Sequence, residues 1–271
     1  HRDLHSFPTR RSSDLSPLRQ PLIYVVPSIF LTFVYFFPVL IPGKIPLMIL
    51  SNATLFPGAI LPLHIFEPRY RRMLSDVLES HRMFAIAMRR PGTRREVPMP
   101  VACLGVVRVC VGAPDGTSNL LLLGLKRIQC VGAARYKPYR VERVEPLDST
   151  GEEAPEVSGL RDRLLTMVKD GLDQGMNGDL PSALPGMMLQ SPVAPPDTVL
   201  SGMTAKNGMD ILKKLDTAHR LADFVASTLL RNPLERQVVL ESLDIKTRLV
   251  NVSHFLSMEI ERNNMGPEGY S

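Results

Sequence analysis

Residues 55–70 read LFPGAILPLHIFEPRY, a run in which a turn, a strand and the start of a helix follow one another. Pro57 and Gly58 favour a turn, and the apolar run 60–66 that comes next has the length of a β-strand. A second such run, 45–50, precedes the turn and predicts a neighbouring strand. Pro62 lacks a backbone N–H, so we expect the strand 60–66 to lie at a sheet edge.

The side chains of this strand alternate in direction, which places His64 and Phe66 on the face opposite Leu63 and Ile65. A helix is predicted over 67–80 by a stripe at i, i+3, i+4, i+7 and i+8. The stripe consists of Tyr70, Met73, Leu74, Val77 and Leu78. Pro68 suits the first turn, and Glu67 could accept backbone N–H groups there. We expect Arg69 or Arg72 to pair with a nearby carboxylate.

Further strands are predicted downstream, so that residues 44–148 form one strand-rich unit. The run 83–88 is a buried-strand candidate, and the runs 102–111 and 120–131 flank Pro114-Asp115-Gly116, a sequence that favours a hairpin turn. The run 138–144 alternates Tyr139 and Val141 against Arg140 and Glu142, which predicts a half-exposed strand. Short strands with one helix indicate an α+β unit built on a small, largely antiparallel barrel.

The carboxy-terminal part is helical. Residues 149–202 are rich in Pro, Gly and acidic residues and are interpreted as a linker with one short amphipathic piece at 160–168. Residues 203–263 predict a lobe of three helices, and 264–271 a tail. A four-three apolar repeat predicts one long helix over 211–229. Asn232 and Asp244 are suitable N-caps for the next two helices, the first with Glu235 three residues on.

The residues from Leu55 to Tyr70 resemble the signature of the amino-terminal, substrate-binding domain of Lon proteases. The strand 84–88, the Pro-Asp-Gly hairpin and the run PLERQ at 233–237 agree with the same family. The resemblance covers about 44–263 without much of the linker. It implies a PUA-like, mainly antiparallel β-barrel with one helix, followed by a helical bundle. It also implies a non-catalytic module that binds unfolded or degron-bearing polypeptides, or a protease partner, in protein quality control.

The signature residues are the candidate site. They are Phe56, Pro57, Gly58, Pro62, His64, Phe66, Glu67, Pro68, Arg69 and Tyr70. We expect them mainly to hold the strand-to-helix corner, because local turns use such residues more often than ligand sites do. Peptide binding by the same residues is the alternative.

Catalytic, cofactor and metal sites are not predicted. The sequence holds no GxxxxGK[ST] loop for nucleotide phosphates. Ser182 resembles the serine motif of Lon peptidases, but it lies in the linker, where nothing would pre-organise it with Lys206 or Lys213. His64, His81, His219 and His254 lack metal-ligand spacing. Cys103, Cys110 and Cys130 form no CxxC pair, which favours a reducing cytoplasm.

Two other functions are weighed against polypeptide binding. The basic loop with Arg89, Arg90, Arg94 and Arg95 raises RNA binding, since PUA-like folds elsewhere hold RNA. No array of stacking aromatic residues accompanies the loop in the sequence, so a solvated surface loop is favoured over a nucleic-acid site. Small-molecule recognition, known from receptor relatives of this domain, requires an aromatic cage, and the chain has no tryptophan.

Residues 1–43 are set apart from the folded part. Residues 1–15 resemble translated sequencing-adapter sequence, and 22–41 form an apolar run about as long as the roughly 20 residues of a membrane span. A membrane anchor or signal segment, a core helix and a non-native extension are the three interpretations, and we favour the last; a membrane partner follows only from the first. The net charge of +5 then leaves about +3 for the rest, too little to indicate a polyanion partner.

Overall fold

The computed structural model describes residues 23–25, 41–173, 215 and 217–265. Seven strands form one mixed sheet. They are β1 (Ile23–Val25), β2 (Lys44–Leu50), β3 (Ile60–Ile65), β4 (Met83–Met88), β5 (Val101–Gly112), β6 (Ser118–Arg135) and β7 (Val141–Leu147). The strands expected over 45–50, 60–66 and 83–88 and the 102–131 hairpin are therefore confirmed. Gly116 takes a φ of 81° in the hairpin turn, as the Pro-Asp-Gly sequence requires.

The strand order is β1-β5-β4-β2-β7-β6-β3, and β5 also pairs with β6. All of these pairs are antiparallel except β2 with β4, which is parallel. Through the pairing of β5 with β6, the five strands β5, β4, β2, β7 and β6 follow one another in a ring of neighbours. β1 and β3 lie outside this ring and form the edges of the sheet among the described residues. The expected α+β class with a mainly antiparallel sheet and a following helical part is therefore confirmed. The sheet is not a closed barrel, since β1 and β3 each have one neighbouring strand and leave open edges among the described residues.

Both faces of β2 and β4 are covered. Leu47 and Ala85 lie in one apolar core and Met48 and Ile86 in a second, larger core that includes helical residues. Strands that are buried on both faces are apolar throughout, which explains the run MFAIAM of β4.

Helix α1 (Pro68–Leu78) follows β3 directly and buries Tyr70, Met73, Leu74 and Val77 of the predicted stripe, while Leu78, its fifth residue, is partly buried. Glu67 is its N-cap residue, but its side chain accepts no backbone hydrogen bond there. The expectation that the Glu67 side chain accepts backbone N–H groups is therefore wrong, and its carboxylate instead accepts from Arg69 Nε at 2.9 Å.

Four helices form the carboxy-terminal lobe in the described residues. They are α2 (Pro155–Asp173), α3 (Ala218–Thr228), α4 (Pro233–Glu241) and α5 (Ile245–Met265). α2 replaces the short piece expected at 160–168, since Val157, Leu164, Val168 and Leu172 are buried against the lobe. The linker assigned to 149–202 thus contributes a helix to the lobe, which has one helix more than the expected three. Residues 174–202 lie outside the described residues.

The helix expected over 211–229 begins at Ala218, because Thr217 has an extended backbone. The part of that prediction before residue 215 lies outside the described residues. Both N-caps are confirmed: Asn232 Oδ1 accepts from Leu234 N at 2.9 Å, and Asp244 Oδ2 accepts from Thr247 N at 2.8 Å. Glu235 accepts from the side chain of Asn232 at 3.1 Å rather than from its backbone.

A buried group of charged side chains joins the sheet to the lobe. Arg127 of β6 donates to both carboxylate oxygens of Asp223 of α3, at 2.7 and 2.6 Å, and to the carbonyl of Leu240 at 2.9 Å. Arg248 of α5 lies 3.5 Å from the same carboxylate and donates to Ser242 O at 2.7 Å. Burial lowers the pKa of Arg248 to about 10 even though Asp223 opposes this shift. The arginine is therefore still charged at neutral pH.

The alternation expected around β7 is wrong at one position. Tyr139 is buried as expected, but Glu142 is buried as well, and its carboxylate accepts from Arg140 Nε at 2.8 Å. The guanidinium of Arg140 replaces water around this carboxylate, so Glu142 can be buried. The alternation of polar and apolar residues in the sequence does not reveal such a partner.

Candidate functional site

The signature residues lie together at the corner between β3 and α1. Gly58 takes a φ of 79°, and its N–H donates to Gly124 O of β6 at 2.9 Å. Gly124 N in turn donates to Ala59 O at 2.9 Å. A Cβ on Gly124 would lie 2.0 Å from Phe56 O, so a glycine is required for this close approach of the turn to β6.

Phe56 and Tyr70 form the buried part of the signature. Phe56 is fully buried and lies 5.9 Å from the guanidinium of Arg127. The hydroxyl of Tyr70 lies 3.3 Å from Ile49 N and 3.5 Å from Ile49 O, which ties α1 to the end of β2. Burial raises the pKa of Tyr70. These two residues hold the corner together, as the structural interpretation expects.

His64 and Phe66 form the exposed part with Ile60 and Pro62. All four lie on the outer side of β3 by the strand alternation, and Phe66 and Ile60 are 60% and 47% exposed. The rings of His64 and Phe66 stack with centroids 5.9 Å apart, and His64 Nδ1 lies 2.7 Å from Asn119 Oδ1. The signature therefore divides into a buried half that builds the corner and an exposed half that faces solvent.

β6 continues this exposed surface beside β3. Leu121 pairs with Pro62 and Leu123 with Ile60, and directly opposed residues of an antiparallel pair point to the same face. Both leucines are half-buried, whereas Leu120 and Leu122, which point to the opposite face, are buried. We call the surface formed by Ile60, Pro62, His64, Phe66, Leu121 and Leu123 the β3 face. Sequence reasoning missed Leu121 and Leu123, because the run of four leucines shows no alternation.

A cluster of charges borders the corner. Arg69 donates to both carboxylate oxygens of Glu96 at 2.5 and 2.8 Å and to Glu67 at 2.9 Å. Its guanidinium also lies 4.4 Å from the ring centroid of Tyr70. The hydrogen bond to Glu96 raises the pKa of Arg69, and the same bond lowers the pKa of Glu96. The expected pairing of Arg69 is confirmed, and Arg72 pairs with Asp76 at 3.0 Å.

The other histidines have local roles. His81 Nδ1 accepts from Met83 N at 3.0 Å, and burial lowers its pKa. His219 Nδ1 lies 2.9 Å from Glu152, and His254 packs on Phe255 with ring centroids 5.6 Å apart. Within the described residues no three His, Cys, Asp or Glu side chains come together as a metal site would require. Ser182, Lys206 and Lys213 lie outside the described residues.

The three cysteines are free thiols. Burial raises the pKa of Cys103 and of Cys130 to about 12, and that of Cys110 above its ordinary value. Thiols with raised pKa values are poor nucleophiles, since the thiolate is the reactive form.

None of the helices in the described residues has the length and apolar character that a membrane span needs.

The amino-acid sequence is similar to those of Lon proteases. The Lon protease of Dictyoglomus thermophilum is 25% identical over 224 residues, which are 82% of this chain and 25% of that protein. The Lon protease of Roseiflexus castenholzii is 29% identical over 231 residues, 83% of this chain and 25% of the relative. The chain thus spans about a quarter of the length of these relatives.

Two solved structures share the fold. A Lon N-terminal domain protein from Xanthomonas campestris superposes with a TM-score of 0.52 at 20% identity, over 78% of this chain and 98% of the other. The N-terminal domain of a Mycobacterium avium complex Lon protease gives 0.58 at 15% identity, over 79% and 98%. The model of the family described as the ATP-dependent protease La (LON) substrate-binding domain matches residues 44–258. The chain therefore belongs to the LON substrate-binding domain family.

Proposed function

We propose that this chain binds unfolded or degron-bearing polypeptides through the β3 face, as a recognition module of protein quality control without catalysis of its own. Membership of a substrate-binding family supports polypeptide recognition as the general role. A cytoplasmic location and handover of the bound polypeptide to a protease partner belong to the same proposal.

The exposed apolar row on β3 is the observation that carries the proposal. Phe66 and Ile60 remain in contact with water although the chain has apolar cores in which such residues are normally buried. The row continues into Leu121 and Leu123 of β6, so the apolar surface is contiguous. Contiguous exposed apolar surface, especially with an aromatic residue, is typical of protein interaction sites.

The edge of β3 favours contact through side chains over addition of a strand. Pro62 lies in the middle of β3 and has no N–H to offer a partner strand. A polypeptide would therefore lie across the β3 face and place apolar side chains between Ile60 and Phe66. This mode suits clients of varied sequence, because apolar burial is non-directional.

Binding of a permanently unfolded, fluorescein-labelled α-lactalbumin, measured by anisotropy, tests the proposal. We expect the double variant Ile60→Ala/Phe66→Ala to weaken binding at least about tenfold, because apolar and aromatic anchors carry most of the affinity at such surfaces. Both side chains are exposed, so the free energy of unfolding should change little.

The matched control is Leu234→Ala/Val250→Ala, which removes similarly exposed apolar side chains from the helical lobe. This control should bind as the parent chain does. Equal losses in both double variants, or no binding by the parent chain across several unfolded polypeptides, would contradict the proposal.

A further inference from the structure

A second surface with a different chemistry lies next to the corner. Arg89, Arg90, Arg94 and Arg95 follow β4 in a loop that its own hydrogen bonds hold in place. Arg89 Nη2 donates to Thr93 O at 2.8 Å, and Thr93 Oγ1 donates to Arg90 O at 2.7 Å and lies 3.0 Å from Arg95 O. Arg90 N also donates to Val97 O at 2.7 Å. The loop therefore presents its charges from an ordered backbone.

Three of the four loop arginines point their charge to solvent. Arg90, Arg94 and Arg95 are exposed, and within the described residues their guanidinium groups form no ion pair. The one acidic residue of the loop, Glu96, is already paired with Arg69. The positive charge of the loop is therefore not neutralised from within the described chain.

The segment between β6 and β7 lies against this loop. Arg140 Nη1 donates to Glu96 O at 3.4 Å, which brings Arg135–Arg140 beside the loop although some 40 residues separate them in the sequence. The carboxylate of Glu142, the acidic residue at the start of β7, is buried and paired with Arg140. Lys137 is exposed and has no ion pair in the same described part of the chain.

Tyr136 supplies an exposed aromatic ring in the middle of these charges. It is 71% exposed, and the guanidinium of Arg140 lies 5.3 Å from its ring centroid. Tyr139 beside it is buried and stacks with Arg135 at 4.8 Å, so the two tyrosines have different roles. Arg140 is paired with Glu142, but it also contacts the backbone of the arginine loop, so the exposed ring lies near cations that have no ion pair among the described residues. Such a ring provides a stacking platform for a base.

We propose that this basic face, formed by Arg90, Arg94, Arg95, Tyr136 and Lys137, binds single-stranded nucleic acid without strict sequence preference. The arginines and the lysine would contact successive phosphates, and Tyr136 would stack on one base. This combination of cations along a backbone path with an accessible ring is what single-strand binding requires, since every base has a π-face. The sequence shows no array of stacking aromatic residues at the basic loop, and the fold adds one exposed ring, Tyr136, from a distant segment.

An acidic polypeptide is the competing occupant of a basic surface, and the exposed ring favours nucleic acid over it. Carboxylates would use the arginines and Lys137 but would gain little from Tyr136. Removal of the ring therefore separates the two ligands, while removal of the charges weakens both.

Anisotropy of a fluorescein-labelled 12-nucleotide oligouridine with the full chain, over a series of salt concentrations, tests this proposal. We expect Arg90→Ala/Arg94→Ala/Arg95→Ala to weaken binding more than tenfold. The slope of log affinity against log salt should fall by roughly 0.7 for each phosphate that the variant no longer neutralises. Tyr136→Ala should weaken binding about fivefold or more with the slope unchanged, and Tyr136→Phe should restore it.

The control Arg163→Ala/Lys169→Ala removes two exposed cations from α2 and should leave binding intact. Polyglutamate of equal length should compete at least tenfold less well than unlabelled oligouridine. Salt-insensitive or undetectable oligouridine binding would overturn the proposal, as would equal competition by polyglutamate or no effect of Tyr136→Ala. The unfolded-polypeptide assay uses another probe and other variants, so either proposal can fail alone.

Discussion

Two clusters of arginine and carboxylate side chains in this protein have the same chemistry and opposite surroundings. In the junction between sheet and lobe, Arg127, Asp223 and Arg248 are at most 3% exposed. At the corner, the side chains of Arg69 and Glu96 are 36% and 44% exposed, and they pair at similar distances. A buried pair loses the hydration of both charges, whereas a surface pair keeps most of it. We therefore expect the loss of one partner to destabilise the fold far more in the first cluster than in the second.

Removal of the carboxylate from the junction should have the largest effect. In Asp223→Ala, the buried Arg127 and Arg248 lose the carboxylate that both of them contact, and we expect the free energy of unfolding to fall by about 3–5 kcal/mol. Urea denaturation followed by circular dichroism measures this loss. A loss below about 1 kcal/mol would show that water enters the junction and that the two clusters do not differ in this way.

A neutral contact across the same junction should have an intermediate effect. Gln237 of α4 is buried, and its Nε2 donates to Val101 O of β5 at 2.9 Å and to Glu241 at 2.8 Å. Gln237→Ala leaves the carbonyl of Val101 without this donor, which we expect to cost about 1–3 kcal/mol in urea denaturation. Val238→Ala, which truncates an exposed neighbour on the same helix, is the control and should lie within about 0.5 kcal/mol of the parent chain.

The exposed cluster should show the smallest effect, together with a dependence on pH and salt. Glu96→Gln removes the carboxylate whose pKa Arg69 lowers, and we expect a loss below about 1 kcal/mol at neutral pH. Because the pKa of Glu96 is lower in the folded state, the ion pair with Arg69 contributes to stability fully above the ordinary pKa of about 4.5. This contribution to stability is lost as the pH falls through the lowered pKa of Glu96 in the folded state.

Melting temperatures of the parent chain and Glu96→Gln between about pH 3 and pH 7 check this prediction. The two should converge at acidic pH and also in about 1 M salt, where charges are screened within roughly 3 Å. A difference that persists at both extremes would mean that Glu96 acts through packing rather than charge.

Much of the fold follows from local sequence. The turn at Pro57-Gly58, the stripe of α1 and the caps Asn232 and Asp244 depend on residues within a few positions, so their spacing is sufficient to predict them. The start of α3 and the full length of α2 could not be predicted in this way. α2 lies in a sequence rich in breakers, and its helix is stabilised by burial of residues such as Leu164 against the lobe.

The candidate site also has one part that the sequence predicts and one part that only the fold reveals. Alternation along β3 is enough to place His64 and Phe66 opposite Leu63 and Ile65. It does not show which of these faces stays open to water, because that depends on what packs against β3. Leu121 and Leu123 join the surface only through the register of β3 with β6.

The sequence by itself determined the family, the strand-to-helix corner and the apolar stripes, because turn chemistry and side-chain periodicity act over a few residues. Only the tertiary structure decided that Arg127 meets Asp223, 96 positions away, and that Tyr136 lies beside the loop of Arg94 and Arg95. The reason is physical: the energy of a charge or an exposed ring depends on which distant groups replace its water. That replacement exists only once the chain is folded.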